Sequence, residues 1–442
     1  MINTGDTAWV LASSALVLLM TPGLAFFYGG MVRGKNVLAM LMQNFLCIGL
    51  VSVLWVLIGY SVAFGKDGFG GYGLAGNLHQ IGLAHMQETV AGYVGSGAQT
   101  IPPIVFVAFQ LMFAVITPAL ITGSIADRTK FGAFVVFVGL WSVLVYSPVA
   151  HWVFSPEGWL FKRGALDFAG GTVVHINAGA AGLAVALVLG KRIGWPREQM
   201  KPHNLPFTLL GAGLLWFGWF GFNAGSALGA NALAGYAFVN TNTATAAALL
   251  AWLVVEKLRD GHSTTLGAAS GAVAGLVAIT PAAGYVSPLG SVIIGVVAGV
   301  ICALAVTVKF KFGLDDSLDV VGVHLVGGIV GSLSVGLLAT KLTNSAGADG
   351  YFYGGGLHLL KEQAIAVGAV IVFSFVMTFI LAKLIDLVMG LRVDRDDEQA
   401  GLDTSLHAET AYETATFSGG GSGTLSGAHA AHTSHIGPQV GA

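Results

Sequence analysis

The chain has 442 residues, of which 55% are hydrophobic and only 10% are charged, and its mean hydropathy is +0.78. A soluble domain of this composition could not cover its apolar surface with polar groups, so the sequence predicts a polytopic membrane protein. The net charge of −2 argues against a nucleic-acid partner, which would need a basic surface. Both cysteines, Cys47 and Cys302, lie in apolar runs, so we expect no disulfide framework, no metal site and no cofactor.

Apolar segments of about 20 residues, the length needed to cross a bilayer, recur along the chain. We expect an all-α fold of eleven transmembrane helices, the last of them long. Many of the 64 glycines fall inside these segments, which predicts helices that pack closely. The predicted spans are 8–31, 37–64, 99–124, 131–154, 171–190, 205–229, 233–257, 264–284, 288–310, 318–340 and 359–389.

The distribution of basic residues predicts the orientation. Most of the 20 lysines and arginines fall in alternate connections, starting with Arg33 and Lys35 after the first span. The positive-inside rule then places the N-terminus outside and the C-terminus inside. Because no basic residue precedes Arg33, either a signal peptide has been removed or the first span is itself the signal.

Two histidines lie within apolar spans, His175 in the fifth and His324 in the tenth. Ionisable groups at bilayer depth are rare and usually face a path for an ion, a proton or a polar solute. Each is preceded by an aspartate, Asp167 or Asp319, and five spans per unit imply two oppositely oriented halves, a 5+5 inverted repeat. The alternative is that each histidine is a buried polar residue bonded to a neighbouring helix.

Five ordered strings carry a resemblance to a known family. The chain resembles the ammonium transporters of the Amt/Rh family, in its prokaryotic Amt type, over roughly residues 5–415. The strings are PGLAFFYGGMVRGKN (22–36), DFAGGTVVHINAG (167–179), GWFGFNAGSA (218–227), ITPAAGYV (279–286) and DVVGVHLVGGIVG (319–331).

The resemblance implies an outer site that recruits ammonium with aromatic rings and a hydroxyl group. The matching positions are Phe113, Phe154 and Ser226, with the Asp167 carboxylate nearby. Phe154 stands where the family usually has tryptophan, which is a better cation–π partner. Trp152 or Trp159 could replace that tryptophan if the loop folds differently, although both are more simply explained as interfacial anchors.

The resemblance also implies a pore below the outer site. Phe113 and Phe222 would form a hydrophobic gate, and Trp219, His175 and His324 would line the path beneath it. In the family the two imidazoles touch and share a proton. We therefore hypothesise that ammonium is deprotonated near the gate and that ammonia crosses the apolar section. The proton would pass separately over the histidines, which burial keeps neutral at rest.

Beyond residues 1–390, which we assign to the transmembrane transporter domain, two segments follow. The charged segment 391–413 resembles the cytoplasmic regulatory tail of prokaryotic members, and the Gly- and Ser-rich segment 414–442 has the composition of a disordered C-terminus. The resemblance further implies a homotrimer in the cell (plasma or inner) membrane. Its inner face would bind a PII-type signalling protein.

Two other functions remain open from the residues. An ammonium sensor could use the same fold. A membrane b-type haem protein could use the two histidines as axial ligands. The resemblance favours a transporter over both, and it does not imply an enzyme.

Overall fold

The structure is a computed structural model that describes residues 2–86 and 100–412. Within these ranges the chain is helical and contains no β-strand, which confirms the all-α prediction. The apolar helices follow the predicted order. They are α1 (Thr4–Met31), α2 (Gly34–Phe64), α3 (Pro103–Ile125), α4 (131–154), α5 (Gly171–Leu189), α6 (Leu205–Gly225), α7 (Ala232–Asp260), α8 (Thr265–Ile279), α9 (Pro288–Phe312), α10 (Val321–Leu338) and α11 (His358–Met389).

The helix α8 is the exception in length. Ten of the helices in the described ranges are long and apolar enough to cross a membrane, whereas α8 has 15 residues and extends only about 22 Å. Its predicted end at 284 was wrong, because the helix stops at Ile279 and turns follow. Thr280 still has helical geometry, but Pro281 has no backbone N–H to continue the helical hydrogen bonds, and this ends α8 early.

In five of the described helices, the residue at the N-cap position itself fixes the start. In each case the side-chain oxygen accepts a hydrogen bond from a backbone N–H in the first turn, which satisfies a group that the helix itself leaves unpaired. These N-caps are Asn3 for α1, Asn204 for α6, Asn231 for α7, Thr264 for α8 and Ser287 for α9.

Four apolar helices contain a π-helical turn. Two of these turns, Trp55–Gly59 in α2 and Ser142–Tyr146 in α4, interrupt their helices. The other two open α5 and α10 at Gly171–Ile176 and Val321–Leu325, and each contains one of the two membrane histidines. Because π-helical turns are rare and often occur at functional sites, their coincidence with both histidines points to this region of the bundle.

Glycines allow the helices to approach closely, as the sequence predicts. Between α1 and α6, a Cβ atom on Gly211 would lie 2.6 Å from the carbonyl oxygen of Gly23. A Cβ atom on Gly218 would lie 2.6 Å from the carbonyl oxygen of Leu16. Real Cβ atoms do not come this near to backbone oxygens, so the spacing between α1 and α6 requires glycine at these positions.

The segment after α11 packs against the same bundle. Two short helices, α12 (Arg395–Ala400) and α13 (Leu402–His407), follow α11. The Asp403 carboxylate accepts hydrogen bonds from the backbone N–H groups of Leu38 and Ala39, at 3.0 and 2.8 Å, and so caps the α-helical part of α2, which begins at Val37. A regulatory role for 391–413 stays a prediction, and the predicted disorder of 414–442 concerns residues outside the described ranges.

Candidate functional site

His175 and His324 are in contact at the centre of the bundle. The distance between their Nδ1 atoms is 3.3 Å, and their ring planes differ by 18°. Both side chains are at most 2% exposed. Because two buried imidazoles at this separation can share one hydrogen bond, the fifth and tenth helices form a single polar unit inside an apolar bundle.

An aspartate holds the start of each histidine-bearing turn. Asp167 accepts hydrogen bonds from the backbone N–H groups of Gly170, Gly171, Thr172 and Val173 and from the Thr172 hydroxyl group. The corresponding residue in the other half is Asp316, which accepts from the N–H groups of Val320 and Val321. Each carboxylate therefore caps a helix start eight residues before its histidine.

The sequence-based pairing of Asp167 with Asp319 was wrong, because Asp319 does not cap α10. It forms an ion pair with Lys309 at 2.6 Å, and its backbone is left-handed with φ of 64°. Burial, together with the nearby Asp319 charge, raises the pKa of Asp316 to about 6.

Two glycines let the histidine-bearing helices meet. Gly179 lies four residues after His175, and a Cβ atom on it would come within 2.5 Å of the backbone nitrogen of Leu325. Gly328 lies four residues after His324, and a Cβ atom there would come within 2.8 Å of the Ile176 side chain. Each histidine helix thus carries the small residue that admits the backbone beside the other histidine.

Aromatic rings enclose the pair on one side. The rings of Phe113 and Phe222 are 4.3 Å apart between centroids, and Phe222 lies 6.1 Å from His175. Trp219 stacks on His175 at 5.4 Å with an interplanar angle of 17°. The Trp219 indole N–H donates to the Thr280 hydroxyl oxygen at 2.8 Å, which fixes the indole orientation.

A cavity of about 120 Å³, which we call the vestibule, opens beyond the Phe113–Phe222 ring pair. All four residues predicted to recruit substrate line it. Its lining comprises Gln110, Phe113, Val153, Phe154, Phe161, Ala165, Leu166, Asp167, Phe168, Ser226, Leu228, Tyr285, Asn344 and Ala346.

Trp152 and Trp159 do not replace the missing tryptophan. Neither lines the vestibule; their rings pack against each other at 5.7 Å. The Trp152 indole N–H donates to the Leu74 carbonyl oxygen at 2.7 Å. The vestibule therefore has Phe154, and no tryptophan, in its lining.

Two smaller cavities continue past the ring pair. The central cavity has a volume of about 10 Å³, and its lining includes Phe222, Trp219 and both histidines. The Tyr28 cavity, also about 10 Å³, is lined by His324, Tyr28 and Asp319 among others. Each volume corresponds to about one water molecule. Phe113 lines the vestibule, Phe222 lines the central cavity, and His324 lines both small cavities. The vestibule, the ring pair and the histidines therefore follow one another in this order.

Sequence reasoning did not single out Tyr28, although it lies in one of the quoted strings. Its hydroxyl group donates to the Leu120 carbonyl oxygen at 3.2 Å, and its oxygen is 3.5 Å from His324 Nε2. The sequence reasoning also missed Asp316, which the eight-residue spacing to His324 could have revealed. Gly179 and Gly328 share a four-residue spacing from the histidines, but only coordinates show what they contact.

The histidine geometry does not suit a b-type haem. A separation of 3.3 Å between the Nδ1 atoms, beside a cavity of about 10 Å³, leaves no space for a porphyrin. No cluster of three or more His, Cys, Asp or Glu side chains that could hold a metal ion occurs in residues 2–86 and 100–412.

An all-helical bundle with a buried histidine pair behind an aromatic constriction is the architecture of a polytopic membrane transporter or channel. Comparison with known proteins gives the family. The pattern of the Ammonium Transporter Family matches residues 8–412, and the chain belongs to this family.

Individual relatives agree over most of their length. An ammonium transporter of Mycobacterium tuberculosis (strain ATCC 25618 / H37Rv) is 56% identical, with 94% of this chain and 91% of that protein covered. An ammonium transporter of Bacillus subtilis (strain 168) is 50% identical, with 92% and 98% covered. The crystal structure of Candida albicans Mep2 superimposes with a TM-score of 0.81 at 35% identity, with 90% and 88% covered. A structure titled Sensor Amt Protein superimposes with a TM-score of 0.82 at 28% identity, with 91% and 98% covered.

Replacing Gly179 should test the close approach of α5 and α10. We expect Gly179→Val to destabilise the protein by about 1–3 kcal/mol, because the new side chain would overlap the backbone at Leu325. The measurement is the apparent melting temperature in detergent, which should fall by several degrees. Gly368→Val is the matched control, since a Cβ atom there meets nothing within 4 Å. Equal melting temperatures for the two variants would contradict the account.

Proposed function

We propose that the protein transports ammonium across a membrane, and that the vestibule, the ring pair and the histidine pair act in that order. The proposal rests on one main observation. The apolar ring pair separates the vestibule, which has aromatic rings and a hydroxyl group, from two buried imidazoles in contact. Family membership supports ammonium as the substrate. The separate steps are inferred from the chemistry of the residues at each point.

The vestibule suits recruitment of a small cation with N–H donors. Phe113 and Phe154 offer aromatic faces, and each desolvated cation–π contact contributes about 2 kcal/mol. The Ser226 hydroxyl group donates to the Phe222 carbonyl oxygen at 2.8 Å, so its oxygen lone pairs remain available to accept from a substrate. Asp167 is different, because its two oxygens already accept five hydrogen bonds. We infer that Asp167 supports the cation through its charge and does not ligate it.

The ring pair provides selectivity against hydrated ions. Phe113 and Phe222 are each at most 1% exposed, so a species that passes between them must lose its hydration shell without polar replacement. A potassium ion cannot shed its charge, whereas ammonium can transfer one proton to a water molecule in the vestibule and cross as neutral ammonia. The apolar constriction therefore favours deprotonation at the vestibule side.

The hydrogen bonds around the histidines suggest a direction for the proton. The Tyr28 hydroxyl group donates to Leu120, so its oxygen is an acceptor for a proton on His324 Nε2. His324 Nδ1 then lacks a proton and accepts from His175 Nδ1–H. This leaves the lone pair of His175 Nε2 without a hydrogen-bond partner in the described part of the chain.

The unpaired acceptor at His175 Nε2 gives the two histidines their proposed function. His175 lines the central cavity beside Phe222, so its Nε2 atom is an unpaired acceptor on the side of the ring pair away from the vestibule. Ammonia can donate to it while crossing, and a proton taken up there can pass through the shared bond to His324. Tyr28 and the cavity lined by Asp319 continue the path beyond His324.

Several expectations from the family remain proposals. The two halves form an inverted repeat, which is supported by the matched π-helical turns, capping aspartates and glycines around His175 and His324. The vestibule then faces outward, the C-terminal segment faces the cytoplasm, and the protein lies in the plasma or inner membrane. We also propose that the protein forms a homotrimer and that a PII-type protein binds near α12 and α13.

A sensor of ammonium is the second candidate. The similarity to the structure titled Sensor Amt Protein favours it, since that protein shares the fold at 28% identity. A pure sensor would bind ammonium in the vestibule without sustained current. The experiment on transport therefore separates the two candidates.

Solid-supported-membrane currents from proteoliposomes test the proposed function. We expect the wild-type protein to give a current after an ammonium pulse and none after an equal potassium pulse. Replacing both histidines, as His175→Leu with His324→Leu, should abolish the ammonium current because the proton path is lost. A potassium current of equal size would contradict the selectivity. Wild-type current from the double variant would contradict the relay, and binding without wild-type current would favour the sensor.

Phe154→Trp should strengthen recruitment. Tryptophan is the better cation–π partner, and a gain of about 0.5–1 kcal/mol corresponds to a two- to fivefold lower half-saturating ammonium concentration. The same current assay measures it. Phe379→Trp, on α11 outside the vestibule lining, is the control and should leave half-saturation unchanged. An unchanged or higher value for Phe154→Trp would show that the ring at 154 does not bind the cation.

A further inference from the structure

Gln110 lies in the vestibule and is not among the residues assigned to recruitment above. It is on α3, one helical turn before Phe113, so both side chains face the same cavity. The residue is only 7% exposed. Its amide oxygen is buried without a hydrogen-bond partner, whereas its amide nitrogen is not one of the buried unpaired atoms of the described residues.

The Gln363 amide and the Asp167 carboxylate, two other polar groups near the vestibule, are paired. The Gln363 amide accepts from the Leu166 N–H and donates to the carbonyl oxygens of Leu166 and Ser332. The Asp167 oxygens are occupied by the start of α5, as described above. A buried amide oxygen that accepts no hydrogen bond is unfavourable, and a ligand that donates to it once the amide has rotated toward the cavity can remove that penalty.

We propose that Gln110 contacts the substrate and determines specificity by accepting an N–H hydrogen bond from ammonium in the vestibule. This rests on the proposed transport of ammonium. A rotation of 180° about the last side-chain torsion exchanges the amide oxygen and nitrogen without changing the shape of the side chain. The oxygen can therefore face the cavity at no cost in packing.

Gln110 supplements the acceptors that the vestibule already offers. Ammonium has four N–H donors, while the aromatic faces of Phe113 and Phe154 attract charge without accepting a directed hydrogen bond as strong as that of an amide oxygen. Ser226 supplies one hydroxyl oxygen. An amide oxygen one turn above Phe113 gives a second directed acceptor for a cation held between these groups.

The proposed role of Gln110 predicts that the vestibule prefers cations with more N–H donors. Methylammonium has three N–H donors and a methyl group, so it can satisfy fewer acceptors in the same cavity. Removing the amide of Gln110 should therefore weaken the binding of ammonium more than the binding of methylammonium. A purely structural glutamine would change the amount of functional protein and leave this preference as it was.

The test measures half-saturating concentrations of both cations by proteoliposome current. For Gln110→Met, which keeps the length of the side chain and removes the acceptor, we expect about a tenfold rise for ammonium and a smaller rise for methylammonium. Gln110→Glu keeps an acceptor and should restore ammonium half-saturation to the wild-type value or below. Gln43→Met is the matched control, because Gln43 is also buried with an unpartnered amide oxygen but does not line the vestibule.

The outcomes separate this inference from the proposed function. Unchanged half-saturation in Gln110→Met, with or without a lower maximal current, would overturn the role of Gln110 while leaving ammonium transport intact. Equal rises for the two cations would also overturn it. If Gln110→Met does not assemble, Gln110→Asn takes its place, because it moves the amide away from the cavity by about one methylene group. Its half-saturating concentration must then rise more for ammonium than for methylammonium. Absence of ammonium current from the wild-type protein would overturn the proposed function itself.

Discussion

The structure depends on keeping two imidazoles in contact within an apolar bundle. Burying a polar ring is unfavourable unless its nitrogens find partners, and here His175 and His324 supply partners to each other. The contact requires two helices from different parts of the chain to approach more closely than ordinary side chains allow. Gly179 and Gly328 make that approach possible.

Local structure serves the same contact. Both histidines lie in π-helical turns, and each turn begins beneath a carboxylate that accepts its free N–H groups. The cap, the turn, the histidine and the glycine recur in the same order in α5 and α10. We infer that both helices use the same local structure to place an ionisable ring at bilayer depth.

The function proposed for this arrangement follows from the order of its parts. An aromatic cavity that attracts a cation precedes a constriction that repels one. Beyond the constriction, His175, His324 and Tyr28 form a short chain of polar contacts. In this proposal the proton and neutral ammonia thus follow different routes. This separation explains why a cation could be the substrate of a pore with an apolar wall.

Hydropathy predicted the fold well, because bilayer thickness imposes span length directly on the sequence. It failed at the end of α8, where Pro281 ends a helix inside an apolar run. The site was predictable only in part. His175 and His324 stand out as ionisable groups in apolar spans, but Phe113, Phe222 and Trp219 look like ordinary core residues, and only the family resemblance identified them.

Other parts of the site could not be read from the sequence. Asp316 is a partial exception: it shares with Asp167 the eight-residue spacing to a histidine, but only the hydrogen bonds distinguish it, as a cap, from the ion-paired Asp319. Gln110 and Tyr28 carry no local signal, since their importance arises from a cavity assembled by distant segments.

The most direct measurement of the central contact is nitrogen NMR on histidine-labelled protein in bilayers. The account predicts a coupling between two Nδ1 nuclei through one shared hydrogen bond, with the proton on His175 Nδ1 and a second proton on His324 Nε2. This signal should vanish when either histidine is replaced by leucine. Absence of the coupling in the wild-type protein, or protons on the Nε2 atoms of both rings, would contradict it.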